Sequence, residues 1–317
     1  MARVLVTRRV PEPVRARLAD NFDLDYHDAE TPLPRAELLA RAAGVDGIVS
    51  TLTDAVDAEL LDASGPQLAV VANYAVGVDN VDVTAATERG VTVTNTPDVL
   101  TDATAEFAIA LMLSLVRRVT DGDRFLRTRE PWIWAPTMML GNGISERLLG
   151  VVGFGRIGRQ AARLGRGLGM RVHYADVVEA PSDEFEQLPL DRLLAEADVV
   201  SLHCPLTPET HHLIGASELQ AMRRDAVLVN TSRGPVVDER ALVDALRSGE
   251  IAGAAIDVFE YEPDVPPALL EMDNVVVTPH LASATHDTRE AMGMLCVDAL
   301  TTVLHDRGTP SNTVHQR

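Results

Sequence analysis

A chain of 317 residues, 46% apolar and 24% charged, is globular, and its length suits two domains of ordinary size better than one core. The formal charge of −19 argues against a nucleic-acid partner, because no basic stripe is present to displace counterions from phosphate. The longest apolar run, FAIALMLSLV at 107–116, is half the length of a membrane span, so no membrane partner is expected.

In chain order, residues 1–98 alternate short apolar runs with helical patterns. RVLV, FDLDYH, DGIVS, LAVVAN and VTVTN read as strands, and Pro11–Ala19, Pro34–Ala42 and Ala55–Ala63 read as helices. Such alternation predicts a parallel sheet covered on both faces. Thr101 and Asp102 offer an N-cap for a helix running to Arg118, whose apolar 107–116 stretch suits burial between domains or subunits. A loop with Pro131, Trp132, Trp134 and Pro136 follows. LLGVV, MRVHYA, ADVVSLH, AVLVN, GAAIDV and NVVVTP then read as six parallel strands, the number of a full doubly wound dinucleotide fold. A last helix covers 287–304 and is expected to return to the first domain. The predicted division is a substrate domain at 1–98 and 287–317 and a dinucleotide-binding domain at 99–286. Cys204 and Cys296 lie far apart with no metal-type spacing, no metal site is predicted, and the cysteine usage fits a reducing compartment, the cytoplasm by default. Every basic residue except histidine is arginine.

The most specific segment is LLGVVGFGRIGRQAARLGRGLGMRVHYAD at 148–176. Gly153 permits a tight turn off the strand, Gly155 lets backbone approach a pyrophosphate, and Gly158 lets the helix pack closely on the sheet. Asp176, 18 residues beyond Gly158, lies where a carboxylate holds adenosine ribose hydroxyls. With Val177, Val178 and then Glu179 after it, two nearby carboxylates would repel a ribose phosphate, so NADH is predicted over NADPH.

In an open parallel sheet, ligands sit outside the carboxyl ends of the strands. Thr231, Ser232 and Arg233 follow AVLVN, Asp257 and Glu262 follow GAAI, and His280 follows NVVVT. A guanidinium grips a carboxylate and polarises the neighbouring carbonyl, while a charged imidazole delivers a proton to the carbonyl oxygen and a carboxylate beside it keeps that ring oriented. The set suits hydride transfer to a 2-keto acid. Each member also has a plainer reading, Arg233 as a turn residue, Glu262 as a solvated loop acid and His280 as a structural histidine. Their shared edge is what favours chemistry. His211 and His212 carry no comparable argument and read as surface or packing residues, and Cys204 reads as a small apolar contact near the cofactor.

GFGRIG with Asp176, NTSRGPVVDE, DVFEYEP and TPHLAS, in that order, resemble the signatures of the D-isomer-specific 2-hydroxyacid dehydrogenases over nearly the whole chain. Within that family VANYAVGVDNVD and VTNTPDVLTDATAEFA resemble the glyoxylate and hydroxypyruvate reductases. The resemblance implies a Rossmann dinucleotide-binding domain inserted in a flavodoxin-like substrate domain. It implies His280 as proton donor, Glu262 as its partner and Arg233 as ligand of the substrate carboxylate and carbonyl. The backbone of Val76 and Gly77 would receive the carboxylate, with Leu52 lining the pocket. Asp257 and Ser283 would hold the nicotinamide carboxamide. Phe154, Arg156 and Ile157 in the glycine turn, with Thr104, His203, Cys204, Pro205, Thr210, Thr231 and Ser232, would complete the NAD site. It further implies a homodimer through 102–118 and neighbouring loops, with Trp132 or Trp134 at the partner, in its pocket or in plain interface packing. The loop between Glu130 and Leu140 looks shorter than in relatives. Rival readings are a 3-phosphoglycerate or D-lactate type dehydrogenase of the same architecture, and a non-enzymatic NAD(H)-sensing protein like the related corepressors. A formate-type enzyme is disfavoured because its relatives place Gln at the position of Glu262.

Overall fold

The computed structural model describes residues 1–178 and 182–315. In chain order its elements begin with β1 (Arg3–Val6), α1 (Glu12–Asn21), β2 (Asp23–Tyr26), α2 (Arg35–Ala42), β3 (Gly47–Ser50), α3 (Ala58–Ser64), β4 (Val70–Asn73), α4 (Val83–Glu88) and β5 (Thr92–Thr94). Next come α5 (Thr101–Val116), α6 (Val119–Arg127), β6 (Leu148–Val152), α7 (Arg156–Gly167), β7 (Arg171–Ala175), β8 (Glu186–Gln187), α8 (Leu190–Glu196) and β9 (Val199–Leu202). The chain closes with α9 (Ala216–Ala221), β10 (Val227–Asn230), α10 (Glu239–Ser248), β11 (Gly253–Ile256), α11 (Pro267–Leu270), β12 (Val275–Val277) and α12 (His286–Leu304). They fall into two compact units, Met1–Leu100 with Ala284–Arg317, and Thr101–Ser283.

The first unit is a five-stranded parallel sheet in the order β2-β1-β3-β4-β5. That is the flavodoxin-like winding, with its switch point between β1 and β3. β3 and β4 are buried along their whole length, as strands covered on both faces must be. Aspartates start two of the helices. The side chain of Asp57 accepts from the Leu60 N–H at 3.0 Å and that of Asp82 from the Ala85 N–H at 2.8 Å, each satisfying a donor the helix leaves orphaned. The cap at Asp57 is why α3 begins later than the Ala55 start read from the pattern. α4 is an addition to the predicted helices. α12 packs on α1 and on β3, β4 and β5, and Asn312 donates to the Asn95 carbonyl, so the tail belongs to this sheet.

The second unit carries a seven-stranded parallel sheet in the order β12-β11-β10-β9-β6-β7-β8. Counted from β6 this is 3-2-1-4-5-6-7, the dinucleotide-fold order with one further strand at the edge. Six strands were expected, and the one not read from sequence is β8, whose two residues are too few to carry a pattern of their own. The apolar α5 packs on α7 and against β10, β11 and β12 and buries Ala108, Ile109, Leu111 and Met112. Its burial is thus supplied within the unit. The helix also takes in Thr101 and Asp102 instead of being capped by them. Arg118, in the left-handed region at φ 56°, breaks the chain into α6, which buries no residue and therefore left no apolar stripe to read. Among the described residues no helix is long and apolar enough to cross a membrane.

Candidate active site

The turn between β6 and α7 is built as its glycines require. Gly153 has φ 88°, and a Cβ on it would meet the Cys204 backbone nitrogen at 2.5 Å, which seats the fingerprint against the segment leaving β9. A Cβ on Gly158 would lie 2.0 Å from the Gly153 carbonyl oxygen. Gly155 is different. Its φ is −73°, and a Cβ there would meet nothing within 4 Å, so no contact inside the protein demands glycine. Space kept open at the N-terminus of a 12-residue helix fits a pyrophosphate, and the residues present therefore fit a dinucleotide.

Phe154 contributes its backbone to the turn. Its ring is buried, stacked on Tyr174 at 3.7 Å and edge-on to Phe185, while its N–H donates to Asp176 at 2.6 Å. The other oxygen of Asp176 accepts the Val178 N–H at 2.9 Å, so the carboxylate is fixed at the end of β7. Glu179, the second carboxylate of the cofactor argument, lies outside the described residues. Arg156 is exposed and Ile157 half-buried in the first turn of α7. Past β9, the His203 ring pairs through Nε2 with the Ser201 hydroxyl at 2.9 Å, and burial pushes this imidazole down to about 4, leaving it neutral. Burial pushes the Cys204 thiol up to about 11, so it is an apolar contact and no nucleophile. The Pro205 carbonyl accepts from the Thr210 hydroxyl at 2.6 Å, and Thr104 is buried in the first turn of α5.

Three strand ends carry the candidate catalytic residues. At β10 the buried Asn230 side chain accepts from the Ser232 N–H at 3.0 Å and from its hydroxyl at 2.8 Å, and donates to the Arg233 carbonyl at 3.0 Å. That fixes the Thr231–Arg233 turn. Thr231 Oγ1 is buried with no hydrogen-bond partner among the described residues, an orphan that a bound ligand would satisfy. At β11 the Asp257 carboxylate accepts the Thr278 hydroxyl at 2.6 Å and the Leu281 and Ala282 N–H groups at 2.8 and 2.9 Å, and its backbone carbonyl accepts the His280 N–H at 2.8 Å. Asp257 thus organises the 278–282 segment, with capacity for one further donor. Burial raises its proton affinity, against those hydrogen bonds and the nearby His280.

At β12 the chain places His280 at φ 55°, an unusual conformation for a non-glycine residue and one held by those bonds to Asp257. Its Nδ1 lies 2.9 Å from Glu262 Oε2, while Glu262 Oε1 accepts the Phe259 N–H at 3.0 Å. Burial alone would raise the Glu262 carboxyl, but the His280 hydrogen bond and charge, the Phe259 N–H and the Arg233 charge outweigh it, and the net shift is downward. The structure brings Glu262 and His280 into contact and sets Arg233 where its charge reaches the pair. Ser283 is half-buried at the end of the same segment. Three positioning residues were not singled out from sequence, namely Asn230, Thr278 and Glu239, whose Oε1 accepts the Glu260 N–H at 2.7 Å. Asn230 closes an otherwise apolar strand, and a polar residue so placed was the readable signal.

In the first unit, Leu52 lies beyond β3, and Val76 and Gly77 lie beyond β4, all at the carboxyl edge of that sheet. Asn95 donates to the Val76 carbonyl at 2.8 Å and Asn73 to the Gly77 carbonyl at 2.9 Å.

Residues 109–282 match the model of the D-isomer specific 2-hydroxyacid dehydrogenase, NAD binding domain. The chain belongs to that family. The glyoxylate reductase of Korarchaeum cryptofilum is 48% identical, over 99% of this chain and 96% of its own. Among solved structures, a Thermus thermophilus protein matches with a TM-score of 0.93 at 45% identity, covering 99% of this chain and all of that one. An NADPH-dependent glyoxylate/hydroxypyruvate reductase from Sinorhizobium meliloti, in complex with NADP and malonate, matches with a TM-score of 0.86 at 36% identity over 99% and 96% of the two chains. This member of the dehydrogenases is accordingly an oxidoreductase with an NAD(P)-binding Rossmann domain.

Proposed function

We propose that this enzyme reduces glyoxylate or hydroxypyruvate to the corresponding 2-hydroxy acid, with NADH preferred over NADPH. The observation that carries the reading is the His280–Glu262 pair at 2.9 Å, on the sheet edge that also bears Arg233 and the glycine turn. The likeness to glyoxylate reductases supports the substrate class.

The bound dinucleotide would supply the hydride. Protonated His280 gives a proton from Nε2 to the keto oxygen, because Nδ1 is committed to Glu262, and the proton and hydride together make the alcohol. Glu262 stays ionised at neutral pH and keeps the ring oriented. Arg233 grips the substrate carboxylate and polarises the adjacent carbonyl in the geometry of a fork of donors, and the backbone of Val76 and Gly77 is assigned to the same carboxylate. Asp257 and Ser283 orient the nicotinamide carboxamide, and Leu52 lines the pocket. Thr104, His203, Pro205, Thr210, Thr231 and Ser232 border the cofactor beside the glycine turn. Asp176 takes the ribose hydroxyls, and its fixed charge opposes a ribose phosphate, which supports NADH although the Sinorhizobium relative uses NADPH. In this reading the Rossmann unit is the NAD domain and the flavodoxin-like unit the substrate domain. Two buried free cysteines fit a reducing cytoplasm, and the exposed Trp132, Ile133 and Trp134 fit a homodimer contact.

The test is a turnover panel of NADH and NADPH against glyoxylate, hydroxypyruvate, pyruvate and phosphohydroxypyruvate, with His280→Ala alongside. Glyoxylate or hydroxypyruvate with NADH gives the highest kcat/KM, and His280→Ala loses about 10²- to 10⁴-fold in turnover while still binding NADH. A preference for NADPH overturns the cofactor assignment, and turnover retained within a few-fold overturns the proton donor.

A further inference from the structure

We propose that His211, His212 and Glu260 form a binding site for a divalent transition ion of the zinc class, separate from the reduction chemistry. The two histidines follow β9 and the glutamate follows β11, so the site ties together two loops far apart in sequence. His212 Nε2 already lies 3.0 Å from Glu260 Oε1, and the His211 and His212 rings stack with centroids 4.0 Å apart. One ligand atom from each of the three residues falls within 4.8 Å of the others.

Two imidazoles and one carboxylate are the donor set of an open zinc site, with water in the fourth position. Nitrogen donors select ions of this class over magnesium or calcium, which take oxygen ligands. Ligand atoms about 2.0–2.2 Å from an ion lie roughly 3–3.5 Å from one another, the spacing His212 and Glu260 already have. The remaining 1–2 Å or so of closure falls to His211, whose ring is exposed.

Two features hold the site ready. The His212 N–H donates to the Pro235 carbonyl at 2.8 Å, and the Glu260 N–H donates to Glu239 at 2.7 Å, so both anchoring residues sit on fixed backbone. The surroundings are acidic as well, since Glu239 contacts the Glu260 backbone and Glu262 lies two residues further on.

The experiment is calorimetric titration of the untagged, metal-stripped full chain with ZnCl2 and, separately, with MgCl2, followed by thermal melting in the presence of each salt. One equivalent of Zn²⁺ binds, Mg²⁺ gives no comparable heat, and Zn²⁺ raises Tm. His211→Ala, a change at an exposed ring that leaves the fold intact, weakens Zn²⁺ at least tenfold and abolishes the rise, and Glu260→Gln weakens it likewise. The absence of stoichiometric Zn²⁺ uptake, or uptake undiminished in His211→Ala, overturns the site. Both readouts are independent of turnover, so their failure leaves the reductase reading untouched.

Discussion

His280 is held at both ends, by its backbone N–H on the Asp257 carbonyl and by its ring on Glu262, and Glu262 is itself held by the Phe259 N–H. Because the Glu262 carboxyl is held below its ordinary value of 4.5, its contribution to stability is complete above that value and is lost as pH falls through the depressed one. Glu262 is therefore an anion across the neutral range. Glu262→Gln removes that anion while keeping a group able to face Nδ1. The ring then loses the carboxylate that orients it for proton transfer, and kcat for keto-acid reduction falls while NADH affinity holds. Steady-state kinetics alongside an NADH titration decides this, and an unchanged kcat would mean that the two side chains do not act together. The positions of Arg233, Glu262 and His280 were legible from sequence because each follows an apolar strand at the ligand edge. The web beneath them was legible only at Asn230, which holds its near neighbours Ser232 and Arg233, whereas Thr278 meets the Asp257 carboxylate and Glu239 the Glu260 N–H only once the chain has folded.

Elements carry the next set of constraints. In the turn from β6 to α7, two of the glycines answer to the protein and one to a ligand. Gly158→Ala puts a methyl 2.0 Å from a backbone oxygen and is expected to lower stability together with cofactor binding. Gly155→Ala meets open space at an ordinary φ, so stability stays within about 0.5 kcal/mol of wild type while NADH affinity falls at least tenfold. Thermal melting and fluorescence titration separate the two, and unchanged NADH affinity in Gly155→Ala would dissociate this turn from the cofactor. At the start of α10, Glu239 is a buried acid whose carboxyl is raised chiefly by burial, so its ionisation costs stability as pH rises through the folded value. Glu239→Gln keeps an acceptor for the Glu260 N–H and leaves stability at neutral pH equal or higher. Glu239→Ala strands that N–H and costs about 1–3 kcal/mol, read by denaturant unfolding. The central strands of both sheets were readable because strands covered on both faces are continuous apolar runs. β8 and α6 were not, because a two-residue strand and a helix without a buried face leave no periodicity.

For the molecule as a whole, composition constrained more than it explained. A length suited to two domains and an alternation of strands and helices led to two doubly wound sheets. Which residues of each sheet's edge work together could not follow from pattern alone, because it depends on winding order. The charge of −19 acts at this same scale. Arginines pair with acids across the surface, among them Arg15 with Glu12, Arg89 with Asp62 and Arg127 with Asp123. Pairs so exposed contribute little to stability and weaken in salt. Against them stands the repulsion of the unbalanced acids, which grows with net charge and is screened by the same salt. With 47 acidic residues facing 28 basic ones, the acidic excess decides the sign. Raising NaCl from about 0.05 to about 1 M shortens the screening length to about 3 Å and is expected to raise Tm by several degrees. Thermal unfolding over that series checks it, and a Tm that falls steadily with salt would mean that the surface arginine pairs outweigh the repulsion between acids.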